Sequence, residues 1–448
     1  MAQSTPRPRF ESWGRYPTLQ AELKPLNWMG DFPLPQPPAT RLLPVGAGRS
    51  YGDVCLLENG TLLPTRGPGI TGGLDRLISF DPATGILRCE AGVTLAEILE
   101  FAVPHGFFLP VTPGTKYVTV GGAIANDIHG KNHHVAGTFG RHVPCFELVR
   151  SDGTRLLCSP TQNSEWFSAT IGGMGLTGLI TWAEVRLRPI VSRHIQYTGI
   201  KFSGIEEFVE LSRAASGIEY TVAWIDCVAT GKNFARGIFM QGDHSPEPSP
   251  LTVSKEPWLV FPIDLPGFAL NQFSIGLFNT LYYNKQFSKE KTALVDYEPF
   301  FYPLDSILHW NRMYGKSGFL QFQCVLPWEE NQQFGIINMM KAITASGLAS
   351  FLTVIKVFGD VPSPGMLSFP MPGITLALDF PIRAEVSFDL LDRLARITQE
   401  HGGRMYPAKD ACMTAEQFQA FYPQWQTFAR FIDPAFDSAF WQRVTASV

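Results

Sequence analysis

Short apolar runs broken by Gly, Pro and Asp dominate the first part of this chain. RLLPV (41–45), LISF (77–80) and ILRCEA (86–91) predict strands, and CFELVRSDGTRLLC (145–158) predicts a hairpin turned at Ser151, Asp152 and Gly153. VTLAEILEFAVPHG changes rhythm. Leu95, Ile98, Leu99 and Ala102 recur at helical spacing behind Thr94, a residue type that caps helix starts. LTGLITWAEVRLRPI (176–190) alternates apolar and polar positions and stops at a proline, so it predicts a strand followed by a domain boundary.

Beyond residue 190 the pattern differs. IEEFVELSRAASG predicts a helix ahead of two strands, EYTVAWID and ARGIFMQG. Residues 243–303, rich in Pro and aromatics, read as a loop-rich stretch. Strand GFLQFQCVLP follows, then a helix over 329–345, strands ASFLTVIKVFG and GITLALDFP, and helix EVSFDLLDRLARITQEHG. After residue 403, RMYPAKD leads into short helices rich in Phe and Trp. Strands with long antiparallel returns and interspersed helices predict an α+β domain with helices on one sheet face.

At 448 residues the chain has room for two or three domains of about 150 residues each. Its 45% apolar and 17% charged content supports sizeable cores and excludes a disordered chain. A net charge of −4 without a basic run argues against nucleic-acid binding. Seven scattered Cys without a CxxC pair argue for a reducing compartment and against a zinc site or a disulfide framework. The start, MAQSTPRPRFESWGRYP, has no apolar core, so no signal peptide is expected. The most apolar stretch, 258–278, holds Asp264 and two prolines, which are costly in a membrane-spanning helix. It reads as a surface loop that touches something apolar.

Four stretches carry candidate chemistry. PVGAGRSYGD (44–53) looks like a nucleotide loop, yet Tyr51 stands where a Rossmann fingerprint needs its third Gly, and no Gly-Lys-Ser/Thr completes a P-loop. Gly46, Gly48 and Gly52 permit turns that aim successive N–H groups at an anion; alone, the stretch is equally an inter-strand turn. In PVTPGTKYVTVGGAIANDIHGKNHH (110–134), Thr119, Val120, Gly121 and Gly122 open a short helix whose N-terminus suits a phosphate. His129, His133 and His134 follow around Lys131 without HExxH spacing or a nearby Cys or Glu, so no metal is expected. TIGGMGLTGLI (170–180), with four Gly and no charge, suits backbone packed on a flat group or a tight helix–strand joint. Lys409 in RMYPAKD gains interest only from this company. Three Gly-rich loops in this order are suited to envelop an extended dinucleotide.

GRSYGD, TVGGAIANDIHGKNHH, GG-x-GLTG and the late AKD resemble the vanillyl-alcohol-oxidase-type FAD-linked oxidases, and within them the decaprenylphosphoryl-β-D-ribose 2′-oxidase family. WNRMYG (310–315), GFLQFQ (318–323), SFLTVIKVFG (350–359) and LSFPMPG (367–373) extend the likeness over nearly the whole chain. The resemblance implies a two-domain α+β fold. Its FAD-binding domain would be discontinuous, residues 1–190 plus a C-terminal return at 404–448, around an antiparallel-sheet substrate domain at 191–403. It also implies non-covalent FAD, since the first loop offers Tyr51 where many relatives tether the flavin through His. Cys55, His129 and Cys145 are the remaining attachment candidates.

The family's cofactor contacts carry over by motif. Pro44, Val45, Gly46, Ala47, Gly48, Arg49, Ser50, Tyr51, Gly52, Asp53 and Val54 would wrap the pyrophosphate. Gly114 with Thr119, Val120, Gly121 and Gly122 would form a second cradle. Asn126, Asp127, Ile128 and His129 would run along the isoalloxazine, Ile180 would meet the adenine end, and Tyr406 would close from the C-terminal segment.

For the chemistry, the resemblance implies oxidation of a sugar carbinol. Lys409 would act as donor or, with a lowered pKa, as proton acceptor. Tyr51 and His129 are the other acid–base candidates, and Gln323 completes the catalytic set. Lys131, Trp224, Tyr314, Gln321, Gln323 and Lys356 would form the sugar pocket, with residues 243–303 as a lid over a lipid-linked substrate. The implied substrate is a polyprenylphosphoryl-β-D-ribose, oxidised to the 2-keto sugar. An NAD(P)H-dependent short-chain reductase would complete epimerisation to the arabinose form, and a quinone or oxygen would take the electrons. The expected location is the cytoplasm or, by peripheral contact, the inner membrane. Two other readings remain: a soluble alditol or aldonolactone oxidase, and a non-catalytic flavin-binding protein. The chain departs from the family at Ala377, where mycobacterial members carry the Cys that nitroaromatic inactivators attack.

Overall fold

The computed structural model describes residues 10–30, 32, 41–66, 73–253, 259–267, 270–327 and 333–446. The start of the helix expected at 329–345 lies outside these residues; the described helix is Gln333–Ser346.

The first region is built on two sheets. Leu42–Val45 and Glu22–Leu23 flank Thr61–Pro64 in a small parallel sheet. Five antiparallel strands form the second, in the order Leu77–Asp81, Ile86–Glu90, Leu179–Arg186, Phe146–Val149, Arg155–Cys158. The helix Leu95–Ala102 begins at Thr94, whose hydroxyl accepts from the Glu97 N–H while the Glu97 carboxylate accepts from the Thr94 N–H. This reciprocal cap is why the apolar spacing there becomes a helix.

The second region is one eight-stranded antiparallel sheet. Its order is Glu290–Asp296, His194–Ser203, Arg236–His244, Tyr220–Ile225, Thr353–Phe358, Gly373–Pro381, Phe319–Pro327, Arg404–Met405. The helices Ile205–Ala214, Gln333–Ser346 and Ala384–Glu400 pack on one face, where Phe322, Cys324, Ile355, Leu376 and Leu378 are fully buried against Met339, Ile343 and Leu394. Strand side chains alternate, so Gln321, Gln323, Lys356, Thr375, Ala377 and Asp379 occupy the other face.

Two expectations need correction. Residues 243–303 are less loop-rich than expected: they contain the helix Gln272–Asn284, the edge strand Glu290–Asp296 and the helix Tyr297–Phe301, while 254–258 and 268–269 lie outside the described residues. The edge strand exists because His194–Ser203 supplies its hydrogen-bond partners, a distant pairing that local composition does not show. The C-terminal return also begins inside the large sheet. Met405 pairs with Cys324, and the chain leaves the sheet only at the single turn Pro407–Lys409. The last helix, Ala439–Thr445, then docks on the first region. Arg443 binds Asp53 in a two-pronged ion pair at 2.8 and 2.9 Å and reaches Asp410 at 2.9 Å.

Candidate active site

The Gly-rich loop follows Leu42–Val45 and is stitched to the far end of the chain. The Tyr51 N–H donates to the Ala408 carbonyl at 2.9 Å. A Cβ on Gly52 would lie 1.7 Å from the Asp410 carbonyl oxygen, so only glycine allows this approach. Gly48 has φ +62°, a conformation that favours glycine. Among the described residues no acceptor faces the N–H groups of Gly46, Ala47, Gly48, Arg49 or Ser50. The Arg49 guanidinium lies 4.1 Å over the Trp13 ring, and its buried Nε has no partner among the described residues. A run of free N–H groups beside a cation is an anion cradle.

The second expected cradle is different. Thr119 caps the helix Val120–Ala125 by accepting from the Gly122 N–H, Val120 donates to Val93, and Gly121 donates to Ala91. These three N–H groups are already paired inside the protein and are not free for a phosphate. Thr119, Gly121 and Gly122 still form cavity wall.

Both loops, Gly175 and Gly178 of the third Gly-rich stretch and the open sheet face enclose one cavity of about 430 Å³, within the range of cofactor sites. Pro44 to Tyr51 and Val54 line it, with Gly114, Asn126, Ile128, His129, Ile180 and Tyr406. Lys131, Trp224, Gln321, Gln323, Lys356 and Lys409 line it as well. Free N–H groups beside Arg49, and a lining that includes Gly46, Gly48, Gly114, Gly121, Gly122, Gly175 and Gly178, fit a pyrophosphate-containing dinucleotide.

Five expected residues do not line the cavity. Asp53 is turned away by Arg443, and Gly52 is pressed against Asp410. Val120 is wholly buried in the apolar core. The Asp127 carboxylate accepts from the Gly140 N–H at 2.9 Å and from the Ser363 and Ser368 hydroxyls, tying the histidine loop to the second region. Tyr314 is stacked on Phe319 at 4.2 Å, behind the wall.

On the polar face, His129 joins two strands. Lys356 Nζ lies 2.9 Å from its Nδ1, and the Gln323 amide lies 3.0 Å from its Nε2. Burial, then the charges of Lys356, His133 and Lys409, hold His129 well below the usual imidazole range, so it is neutral at pH 7. An ammonium on Lys356 donates to Nδ1, which leaves the ring proton on Nε2. The Gln323 amide, whose ends interchange by a flip, then turns its oxygen to the ring. Both nitrogens are thereby engaged, and His129 has no free lone pair for a substrate proton.

Three half-buried lysines share the cavity. Burial lowers Lys356 and Lys131 to about 7. Lys131 donates to the Phe300 carbonyl, and its Nζ lies 4.6 Å over the Phe300 ring. Lys409 Nζ lies 3.9 Å over the Tyr51 ring. Burial lowers Lys409 below an ordinary lysine and the Asp379 charge opposes that shift, while burial raises Asp379. Asp379 accepts from the Gln321 amide on the neighbouring strand. Burial raises Tyr51 well above the ordinary phenol, so it stays protonated and acts as a donor rather than a base.

Sequence reasoning missed Asp379, Trp13, Tyr117 and Asp305, all of which line the cavity. Asp379 left a signal: it is the lone carboxylate in an apolar strand, two residues from Ala377 on the same face. Trp13 and Tyr117, which flank Arg49, left none.

Residues 38–159 match the family described as FAD binding domain. The chain is 38% identical over 403 residues to decaprenylphosphoryl-β-D-ribose oxidase of Mycolicibacterium smegmatis, covering 87% of this chain and 85% of that protein. The chain belongs to the decaprenylphosphoryl-β-D-ribose oxidase family. It is also 30% identical over 363 residues to an uncharacterized protein in the mprA 5′ region of Streptomyces coelicolor, covering 77% of this chain and 96% of that one. A shorter likeness reaches human Δ(24)-sterol reductase, 32% identical over 113 residues, covering 25% of this chain and 22% of that protein. The cofactor of this family member is FAD, and its architecture is the two-domain fold of FAD-linked oxidases. The free N–H groups of the first loop and Arg49 line the cavity that has room for this cofactor.

Proposed function

We propose that the protein oxidises the 2′-hydroxyl of a polyprenylphosphoryl-β-D-ribose to the 2-keto sugar, the substrate class named for its Mycolicibacterium relative. One observation carries this reading: Gln321, Gln323, Lys356 and Lys409 face the Gly-rich loops across a single cavity. When bound, FAD supplies the two-electron acceptor for a hydride from the carbinol carbon. The chain supplies the rest. Lys409, with its depressed pKa, takes the hydroxyl proton in its neutral form. Gln321 and Gln323 offer amide groups to sugar hydroxyls. Lys131 and Lys356 pair with no carboxylate among the described residues, and a substrate phosphodiester would supply the missing counter-charge. Trp224 forms an apolar wall, its indole N–H donating to the Phe351 carbonyl at 3.1 Å.

The flavin is held without a covalent bond in this reading. Cys55 reaches the cavity, but burial raises its thiol to about 12, far from the reactive thiolate. The 2-keto product calls for a hydride-donating reductase as partner, with a quinone or oxygen as the electron acceptor. The lipid tail places the enzyme in peripheral contact with a membrane.

The test is anaerobic titration of the purified flavoprotein, followed by its visible absorbance. Bleaching by polyprenylphosphoryl-β-D-ribose, and not by free alditols or aldonolactones, is expected. Rapid bleaching by the free sugars alone would replace this reading with a soluble alditol or aldonolactone oxidase. Bleaching by none of them would leave a non-catalytic flavin protein.

A further inference from the structure

The helix Gln272–Asn284 has two unlike faces. Asn271 starts it, accepting from the N–H groups of Phe273 and Ser274. The inner face is seated by buried Ile275 and by Asn279, whose amide donates to Asp226 at 2.9 Å. None of its thirteen residues is charged. The outer face carries Phe273, Leu277 and Leu281 at four-residue spacing, 82%, 53% and 63% exposed, and Phe287 just beyond is 96% exposed. Single exposed apolar residues are ordinary on a soluble protein, but a row of three along an uncharged helix is not.

This face is continuous with the cavity. Half-exposed Phe278 stacks on Tyr282 at 6.0 Å, and Tyr282 packs on Trp224 at 4.8 Å; Tyr282 and Trp224 both line the cavity. A second apolar element borders the same cavity. Exposed Leu259 and Val260 pair with Ile307 and Leu308, which also line it. The charge pattern changes where the helix ends. Lys285, Lys289 and Lys291 follow, all exposed; Lys289 is ion-paired to Glu207, and Glu290 stands between Lys289 and Lys291.

We infer that Gln272–Asn284 lies in the headgroup layer of an anionic lipid surface, its Phe273–Leu277–Leu281 row among the acyl chains and Lys285 and Lys291 among the phosphates. Lysines beside an apolar helix face are the pattern of an interfacial helix. Among the described residues no helix is long and apolar enough to cross a membrane, so the contact is peripheral. The inference rests on the polyprenyl-substrate reading. The Trp224–Tyr282–Phe278 path would let the lipid tail pass from cavity to bilayer without crossing water.

The experiment is flotation of the FAD-loaded full chain with vesicles of phosphatidylglycerol and phosphatidylcholine. The wild type floats with them. A variant carrying Phe273→Ser, Leu277→Ser and Leu281→Ser, with its flavin spectrum intact, floats roughly tenfold less. Lys285→Glu with Lys291→Glu floats less at low salt. Wild type left in the aqueous fraction, or a serine variant that floats like wild type, overturns the inference. So does a face that proves to bury a second copy of the chain, seen as a change of oligomeric state in the serine variant without any change in flotation. A soluble farnesylphosphoryl ribose separates the two readings. If it bleaches the flavin of wild type and serine variant alike, the substrate reading stands whatever flotation shows. If it bleaches neither, the substrate reading falls and flotation alone decides the docking.

Discussion

Lys409 Nζ lies 3.9 Å from the centre of the Tyr51 ring, so the Gly-rich loop and the late AKD segment meet at one point of the cavity wall. Tyr51 is held protonated and His129 has both nitrogens engaged, so the proposed mechanism gives the proton to Lys409. Lys409→Ala should bind FAD normally and lose about 10²–10⁴-fold in kcat, the range of a general base. Steady-state turnover of the flavin-replete variant checks this; near-wild-type turnover would remove Lys409 from the chemistry.

Asp379→Asn tests the same lysine from its neighbour. The Asp379 charge raises Lys409 against the lowering effect of burial. Without it Lys409 loses its proton at lower pH, so the rising limb of kcat/KM against pH should move to lower pH. A limb that stays in place would assign the titration to another group.

Arg443 holds two buried carboxylates, Asp53 and Asp410, and joins the last helix to the first loop. Arg443→Met leaves both without their cation. We expect a loss of about 3–5 kcal/mol in denaturant unfolding. A loss below about 1 kcal/mol would show that the two carboxylates are served by other partners.

His133 is buried beneath Phe358, and neither ring nitrogen has a partner among the described residues. Burial, then nearby positive charge, lowers it to about 3. The unfolded chain therefore binds a proton below about pH 6.5 that the folded chain refuses, and stability falls as the medium is acidified through that value. His133→Phe removes this contribution. Between pH 6 and 5 the wild type should lose up to about 1.4 kcal/mol more per pH unit than the variant. Parallel stability curves would contradict the assignment.

Ala377 faces Gln323 across the strand ladder and lines the cavity. With no thiol there, nitroaromatic inactivators should leave no adduct on residues 375–379, and Ala377→Cys should gain one. Peptide mass spectrometry distinguishes the two; an adduct on the wild-type strand would disprove the assignment.

The parts of this protein legible along the chain are those whose function lies in consecutive residues. The loops at 44–54 and 110–134 present backbone and side chains in sequence order, so their spacing announced a dinucleotide site. Two-residue alternation likewise put Gln321 and Gln323 on one face. Tertiary structure decided what depends on distant pairing. Asp53 belongs to Arg443, and the Val120 and Gly121 N–H groups are spent on Val93 and Ala91. Asp379 enters the site because Gly373–Pro381 pairs with Phe319–Pro327. The stretch 258–278 read as a surface loop touching something apolar, but not as a helix with one outward row, because the buried face of Gln272–Asn284 is nearly as apolar as its exposed one and the sequence shows no contrast between them. Local pattern records what each residue can do, and only the pairing of remote strands selects which of those capacities meet in one cavity.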